Sequence, residues 1–379
     1  MEIYVVKKGD TVNTIAAYYG VAADTIIYDN QLIYPYELAI GQALLVNTGP
    51  SEKTMEIRSN GYAYPFISRW VLDNTLPYLT ELSVFSYGFT IEGELIPPLL
   101  EDEWMVERAL NTGTMPVLTL TPFGADGNFD NTLISAIVNN PESRDNLIAN
   151  LVAVMQEKSY GGLNIDFEYI KAEDRDAFTE FVRVCTDRMH SVGFQVSDDL
   201  APKTSAMQRG LLYEGKDYKA LGEIVDHVLV MTYEWGYTYG PPMAVAPINM
   251  VRNVLEYAVT EIVPEKISMG IPNYGYDWTL PYERGITRAV TIGNIEAVRI
   301  AISRGAEIKF DEVAMTPYFN YESGNTTHEV WFEDARSIQA KYDLIKELGL
   351  RGLGFWQIMQ LFRTNWLLLD DNFYIIKDY

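Results

Sequence analysis

The stretch Gly161-Gly-Leu-Asn-Ile-Asp-Phe-Glu168 spaces three polar side chains two residues apart. In a strand, successive side chains point to opposite faces, so Asn164, Asp166 and Glu168 share one face while Ile165 and Phe167 take the other. Carboxylates about 6–7 Å apart along one strand face push their pKa values apart. The partner that stays neutral can serve as a general acid near neutral pH, and an aspartate in contact can share that proton and orient a substrate. The other reading is a structural polar pair, bound to an arginine or to a sheet edge.

The elements that must position these groups alternate from Met55 onward. Short apolar runs at 83–89, 115–121, 162–168, 225–233, 267–272 and 352–358 read as strands, and 195–197 begins another. Between them lie helical patterns. Pro141 suits a first helical turn, followed by a stripe of Leu147, Ile148, Leu151, Val152 and Met155. The segment 173–190 carries Phe178, Phe181, Val182, Cys185 and Met189 on one face, and 249–259 and 335–348 are further helices. About eight strand candidates over this length predict an α/β fold, a (β/α)8 TIM barrel rather than an open sheet. In such a barrel Asn164, Asp166 and Glu168 face the lumen, and Glu168 lies at the strand's C-terminal end, where barrel enzymes keep their chemistry. The interval between strands seven and eight is too long for one crossover, so about 276–333 reads as a small α+β insertion.

Composition narrows the function. The chain has 379 residues, and 52 Asp plus Glu against 29 Lys plus Arg give a net charge of -23. That field repels phosphate, so neither nucleic acid nor an anionic membrane is an expected partner. Cys185 is the only cysteine, which excludes an internal disulfide or a cysteine-rich zinc site, and its place on a helix stripe makes it a core residue. Of three histidines, His190 stands near a helix end as a dipole partner, while His227 and His328 have no ligand partners nearby in sequence, so no metal and no cofactor is expected. The 26 tyrosines and 7 tryptophans offer flat faces on which sugars stack. The first residues show no apolar run of signal-peptide length, and no window approaches the ~20 apolar residues of a membrane span. A monomer made in the cytoplasm is the expectation.

Residues 1–47 read as a separate strand–helix–helix–strand module, followed by a polar linker at 48–53 and the barrel at 54–379. The segments Tyr4-Val-Val-Lys-Lys-Gly-Asp-Thr11, Ile15-Ala16, Tyr19-Gly20-Val21 and Gly41-Gln-Ala-Leu-Leu-Val46 resemble a LysM domain. LysM domains bind glycans containing N-acetylglucosamine beside the loop after their first strand. The resemblance places Gly9, Asp10 and Thr11 at that loop; the plainer reading of the three residues is only a turn and a helix cap.

The carboxylate strand resembles the signature of glycoside hydrolase family 18, Asp-Gly-x-Asp-x-Asp-x-Glu. Gly161 and Asn164 depart from its first two acids, while Asp166 and Glu168 match the third Asp and the catalytic Glu. Met231-Thr-Tyr-Glu-Trp-Gly236, Gly270-Ile-Pro-Asn-Tyr-Gly275 and Gly354-Phe-Trp356 resemble the family's sixth, seventh and eighth strands. With the LysM-like module, the resemblance is to the spore-peptidoglycan branch, the cortex-lytic N-acetylglucosaminidases, associated with spore coat, cortex or wall. Segments 231–240 and 328–336 look typical of that branch.

The family's chemistry implies retaining, substrate-assisted hydrolysis, an exception to the two-carboxylate scheme. Glu168 is then the acid/base, and Asp166 holds the acetamido N–H. Tyr233 donates to the acetamido oxygen, and Trp356 is an aromatic floor. Asn164, Glu234 and Asn273 are candidate substrate contacts. Each residue has a plainer reading: Tyr233 as core closure, Trp356 as barrel packing, Glu234 as an arginine partner. The expected partner is peptidoglycan or another N-acetylglucosamine glycan, recognised through N-acetyl pockets and stacking rather than charge. The alternatives are a chitinase or another such glycan hydrolase, or a non-catalytic glycan-binding or spore-coat protein.

Overall fold

The computed structural model describes all residues except 125 and 126. The chain runs β1 (Glu2–Val5), α1 (Val12–Tyr19), α2 (Ala23–Asp29), β2 (Ala43–Val46), β3 (Glu56–Ala63), α3 (Arg69–Thr75), β4 (Glu81–Phe89), β5 (Leu95–Ile96), α4 (Glu103–Asn111), β6 (Met115–Leu120), α5 (Thr132–Val138), α6 (Pro141–Lys158), β7 (Gly162–Ile165), α7 (Arg175–His190) and β8 (Gln195–Leu200). It continues through α8 (Tyr218–Ile224), β9 (His227–Val230), α9 (Ile248–Glu261), β10 (Ile267–Pro272), β11 (Gly275–Leu280), β12 (Val290–Ile292), α10 (Asn294–Arg304), β13 (Lys309–Asp311), β14 (Thr316–Ser323), β15 (Thr326–Trp331), α11 (Ala335–Leu348), β16 (Gly352–Trp356), α12 (Arg363–Asn372) and β17 (Tyr374–Ile375).

Strands β3, β4, β6, β7, β8, β9, β10 and β16 pair in parallel, each with the next, and β16 returns to β3, so the sheet closes into a (β/α)8 barrel. Between the seventh strand β10 and the eighth strand β16, an antiparallel sheet of order β12-β11-β15-β14-β13 with helix α10 forms the insertion. At the N-terminus, β1 and β2 pair antiparallel around α1 and α2.

Local signals in the sequence carry much of this. The Asn140 side chain accepts from the Glu142 and Ser143 amides ahead of Pro141, which starts α6. Asp334 and Ser337 form a capping box on α11, and Gly349 ends it in the left-handed region. The expected stripe of α7 is fully buried, Cys185 included.

Strand ends differ from the periodicity. The segment expected to run to Glu168 leaves the ladder after Ile165, with one last bond from the Asp166 amide to Leu120 O. Its neighbour β6 also stops at Leu120, ahead of Pro122, which has no N–H to offer. The run expected to reach Tyr233 ends at Val230, where the Thr232 and Tyr233 amides turn back on Val230 O and Met231 O. Strand β16 ends at Trp356 rather than 358, and α7 begins at Arg175 after a short 3-10 turn.

The N-terminal module is docked on the barrel. The Met1 amino group lies 2.9 Å from Asp371, and Leu45 joins the barrel's main hydrophobic cluster. The Arg363 guanidinium sits 3.9 Å from the centre of the Tyr28 ring, and the Arg363 amide donates to Gln31. Gly41 lies against the insertion: a Cβ there would come within 1.8 Å of Ile308 O.

Candidate active site

At the C-terminal mouth of the barrel a cavity of about 670 Å³ gathers side chains from seven of the eight strands or the loops that follow them. Asp166 and Glu168 enter it from the end of β7. Phe167, between them, packs outward on Phe89, Phe178 and Phe181, with ring centres 5.4–5.9 Å apart. That outward anchor keeps the two carboxyls pointing inward. Asp166 is 6% exposed, and Glu168 is half-buried beside the opening.

Burial pushes both carboxyls above the ordinary carboxylate range. For Asp166 the Glu168 and Asp199 charges add to burial; for Glu168 the Lys216 charge opposes it and Glu234 adds to it. A carboxyl that keeps its proton to higher pH than usual, set at an opening, suits a general acid.

Tyr233 and Glu234 follow β9. Burial raises the Tyr233 phenol well above its usual value, so it remains a donor, and among the described residues no protein group hydrogen-bonds its hydroxyl. Glu234 does not pair with arginine. The Tyr276 hydroxyl donates to its Oε1 at 3.0 Å and the Tyr274 hydroxyl donates to the same oxygen. Trp356, at the end of β16, is half-buried and packs edge-on against Phe85 with centres 4.8 Å apart. Tyr62 and Tyr64 flank it.

Two expected substrate contacts lie elsewhere. Asn164 is 1% exposed beneath Asp166 and donates to Ser197 Oγ at 3.0 Å and Asp199 Oδ1 at 2.9 Å. Asn273 commits both amide hydrogens to backbone carbonyls, Gln357 O at 3.0 Å and Gln360 O at 3.1 Å. It fastens the loop after Trp356 and is not part of the cavity lining. A short polar side chain next to a strand end reads alike in sequence whether it meets substrate or clamps backbone.

The lining also includes groups that sequence reasoning passed over: Tyr62, Asp199, Tyr169, Tyr213 and Tyr237. Asp199 had a signal, the adjacent acids Asp198-Asp199 inside an apolar strand. Asp198 turns outward to Lys216, at 2.7 Å, and Asp199 turns inward. The Tyr62 hydroxyl donates to Asp199 from across the lumen at 3.0 Å.

His227 pairs with Glu81 at 3.2 Å, His328 with Asp277 at 2.9 Å, and His190, in the last turn of α7, with Asp226 at 2.9 Å. Among the described residues no His, Cys, Asp or Glu group is arranged to hold a metal ion, and no helix is long and apolar enough to cross a membrane.

In the N-terminal module, Asp10 and Thr11 line a groove of about 630 Å³ with Asp24, Ile27, Tyr36 and Leu38, and Ile302 of α10 reaches its edge. Asp10 also accepts from the Tyr4 hydroxyl and the Lys7 amide, both at 2.7 Å, and Thr11 caps α1. Gly9, at φ +91°, supplies the turn between them, a backbone region closed to most side chains.

Comparison with known proteins agrees with this geometry. Residues 119–360 match the profile of glycosyl hydrolases family 18, and residues 4–47 match the LysM domain. The chain is 41% identical to the cortical fragment-lytic enzyme of Bacillus subtilis (strain 168), over 100% of this chain and 99% of that one. It superposes on the crystal structure of the Bacillus cereus spore cortex-lytic enzyme SleL with a TM-score of 0.95 at 34% identity, over 100% of this chain and 99% of the other. It is also 28% identical to di-N-acetylchitobiase of Rattus norvegicus, over 57% of this chain and 65% of that one. On the match to the barrel and the end-to-end relatedness, the chain is a glycoside hydrolase and belongs to glycoside hydrolase family 18, with a LysM domain at its N-terminus.

Proposed function

We propose that the protein hydrolyses β-1,4 bonds at N-acetylglucosamine in spore-cortex peptidoglycan, by retaining, substrate-assisted catalysis. One observation carries the mechanism: the Asp166 and Glu168 carboxyls, both held above their usual range, meet the Tyr233 hydroxyl, unpartnered among the described residues, in one aromatic-walled cavity. Glu168 protonates the leaving oxygen while the substrate's acetamido oxygen attacks the anomeric carbon, giving an oxazolinium ion. Glu168 then takes a proton from the incoming water. Asp166 accepts from the acetamido N–H and offsets the cationic charge, and Tyr233 donates to the acetamido oxygen and aligns it. Trp356 carries the sugar ring. Glu234 has hydroxyls on both its oxygens, so it shapes the subsite rather than attacking the sugar.

The cortex as substrate, and a place at the spore, rest on the names of the two Bacillus relatives. The LysM groove around Asp10 and Thr11 holds the same polymer at a second point. With a net charge of -23, recognition of an anionic wall rests on N-acetyl pockets and stacking.

Digestion of purified cortex, vegetative peptidoglycan and chitin oligomers, with new reducing ends identified by mass spectrometry, tests this reading. Reducing-end N-acetylglucosamine from cortex is expected. Glu168→Gln should lose roughly 10²–10⁴-fold in rate while its melting temperature is unchanged. Near wild-type turnover in that variant, or no inhibition by a thiazoline mimic of the oxazolinium ion, contradicts the mechanism.

A further inference from the structure

The face of β7 that carries the acid lacks a carboxylate at 164, yet the buried polar network beneath Asp166 still contains one. Strands β7 and β8 pair with Asn164 opposite Ser197 and Ile165 opposite Asp198. One residue beyond that paired stretch on each chain segment, Asp166 and Asp199 line the same cavity, close enough for the Asp199 charge to act on the Asp166 carboxyl. Asp199 is 3% exposed and is held by two donors: Asn164 Nδ2 at 2.9 Å and the Tyr62 hydroxyl, which reaches both of its oxygens at 3.0 Å.

Two acceptors in this network stand without a donor. Asn164 Oδ1 and Asp166 Oδ1 are both buried, and among the described residues neither has a hydrogen-bond partner. A buried acceptor left unpaired costs about 1–3 kcal/mol. A proton on Asp166 supplies the missing donor, and that proton needs a second buried base with which to be shared. Lys216 does not fill the role. Its ammonium lies on the helix side of β8, donating to Asp198 Oδ1 and Asp199 O and sitting over the Phe178 ring.

We infer, on the catalytic reading above, that Asp199 is a positioning residue for Asp166, supplying from the neighbouring strand the carboxylate that Asn164 lacks. One proton is shared between the two. With the proton on Asp199, Asp166 is the anion that faces Glu168 and the acetamido N–H; with Asp199 as the anion, Asp166 holds the proton. The groups facing Asp199 are Asp166, Tyr62, Tyr233 and Asn164, with Asp198 and Lys216 behind its strand. Burial raises the Asp199 carboxyl to about 7, against the lowering pull of Asn164 and Tyr62, so the exchange falls within a working pH range.

A transposition tests this. Asp199→Asn should lower kcat on cortex fragments roughly 10–100-fold, as loss of an outer supporting partner does, with KM within about twofold and an altered pH profile. The exchanged pair Asn164→Asp with Asp199→Asn keeps one amide and one carboxylate in hydrogen-bond contact and should recover most of that loss. Wild-type kcat and pH profile in Asp199→Asn, or an exchanged pair no faster than Asp199→Asn at an equal melting temperature, overturns the inference. If Asp199→Asn fails to fold, Tyr62→Phe serves in its place. Removing that donor leaves the proton on Asp199 to higher pH and should displace the profile upward, and a profile superimposable on wild type overturns the inference. Glu168→Gln run in parallel reports the acid assignment separately, because the ratio of the Asp199 variants to wild type does not depend on it.

Discussion

The Tyr276 hydroxyl donates to both oxygens of Glu234, at 3.0 and 3.2 Å, joining the first strand of the insertion to the loop after β9. Glu234 holds this position at φ +66°, a region that side chains other than glycine occupy only when surrounding contacts fix them. Its charge is one of the influences that raise Glu168. Replacing it by a neutral amide removes that influence, so Glu168 loses its proton at lower pH. Hydrolysis needs the protonated acid. In Glu234→Gln the alkaline limb of kcat/KM should therefore move to lower pH, as measured across a buffered series; a limb that stays or moves upward contradicts the coupling.

Tyr233→Phe removes a donor without removing the ring. The hydroxyl has no protein partner among the described residues, so the fold loses little. A positioned donor at a reacting oxygen is worth about 10²-fold. We expect kcat to fall by roughly that factor with an unchanged melting temperature, and a rate within twofold of wild type would remove Tyr233 from the mechanism.

At the opposite end of the barrel Glu81 is 2% exposed, with Arg351 at 2.8 Å and His227 at 3.2 Å. Burial alone would raise this carboxyl, but the His227 and Arg351 partners hold it well below the usual range. Burial lowers His227, and among the described residues its Nδ1 has no partner, as suits a neutral ring whose Nε2–H donates to Glu81; Arg351 supplies the lasting charge. Removing one member of a buried pair costs about 3–5 kcal/mol, so Glu81→Ala should unfold at correspondingly lower denaturant. Because the folded carboxyl lies below its unfolded value near ~4.3, the stabilisation is complete above that pH and is lost as pH falls further. A variant as stable as wild type at pH 7 would contradict the pairing.

Gly41→Ala tests the docking of the LysM module. Gly41 has φ +83°, and a Cβ would collide with Ile308 O, a backbone atom that cannot rotate away. The substitution should weaken docking by more than about 1 kcal/mol. Limited proteolysis in the segment 48–53 should quicken, while turnover of soluble cortex fragments stays unchanged. Unaltered cleavage would show that the contact carries no docking energy.

Much of this protein was legible in its residues because the signals are local. The two-residue spacing of Asp166 and Glu168, the apolar stripe of α7 and the caps of α6 and α11 each depend on a few neighbours in the chain. With the family resemblance, they were enough for the barrel, the insertion between strands seven and eight, and membership of a glycoside hydrolase family. What sequence spacing did not distinguish was polar residues with different work. Asn164 and Asn273 looked like substrate contacts, yet one supports Asp199 and the other clamps a loop. Glu234 was open to an arginine and took two tyrosines instead.

Those outcomes depend on residues far apart in the chain. Tyr62 meets Asp199 across 137 positions, and Glu234 meets Tyr276 across 42. By itself the sequence determined which groups could do acid chemistry and which faces they share, because strand periodicity is a property of the backbone. Only closure of the barrel decided which carboxylates share protons, because that depends on which side chains are desolvated together.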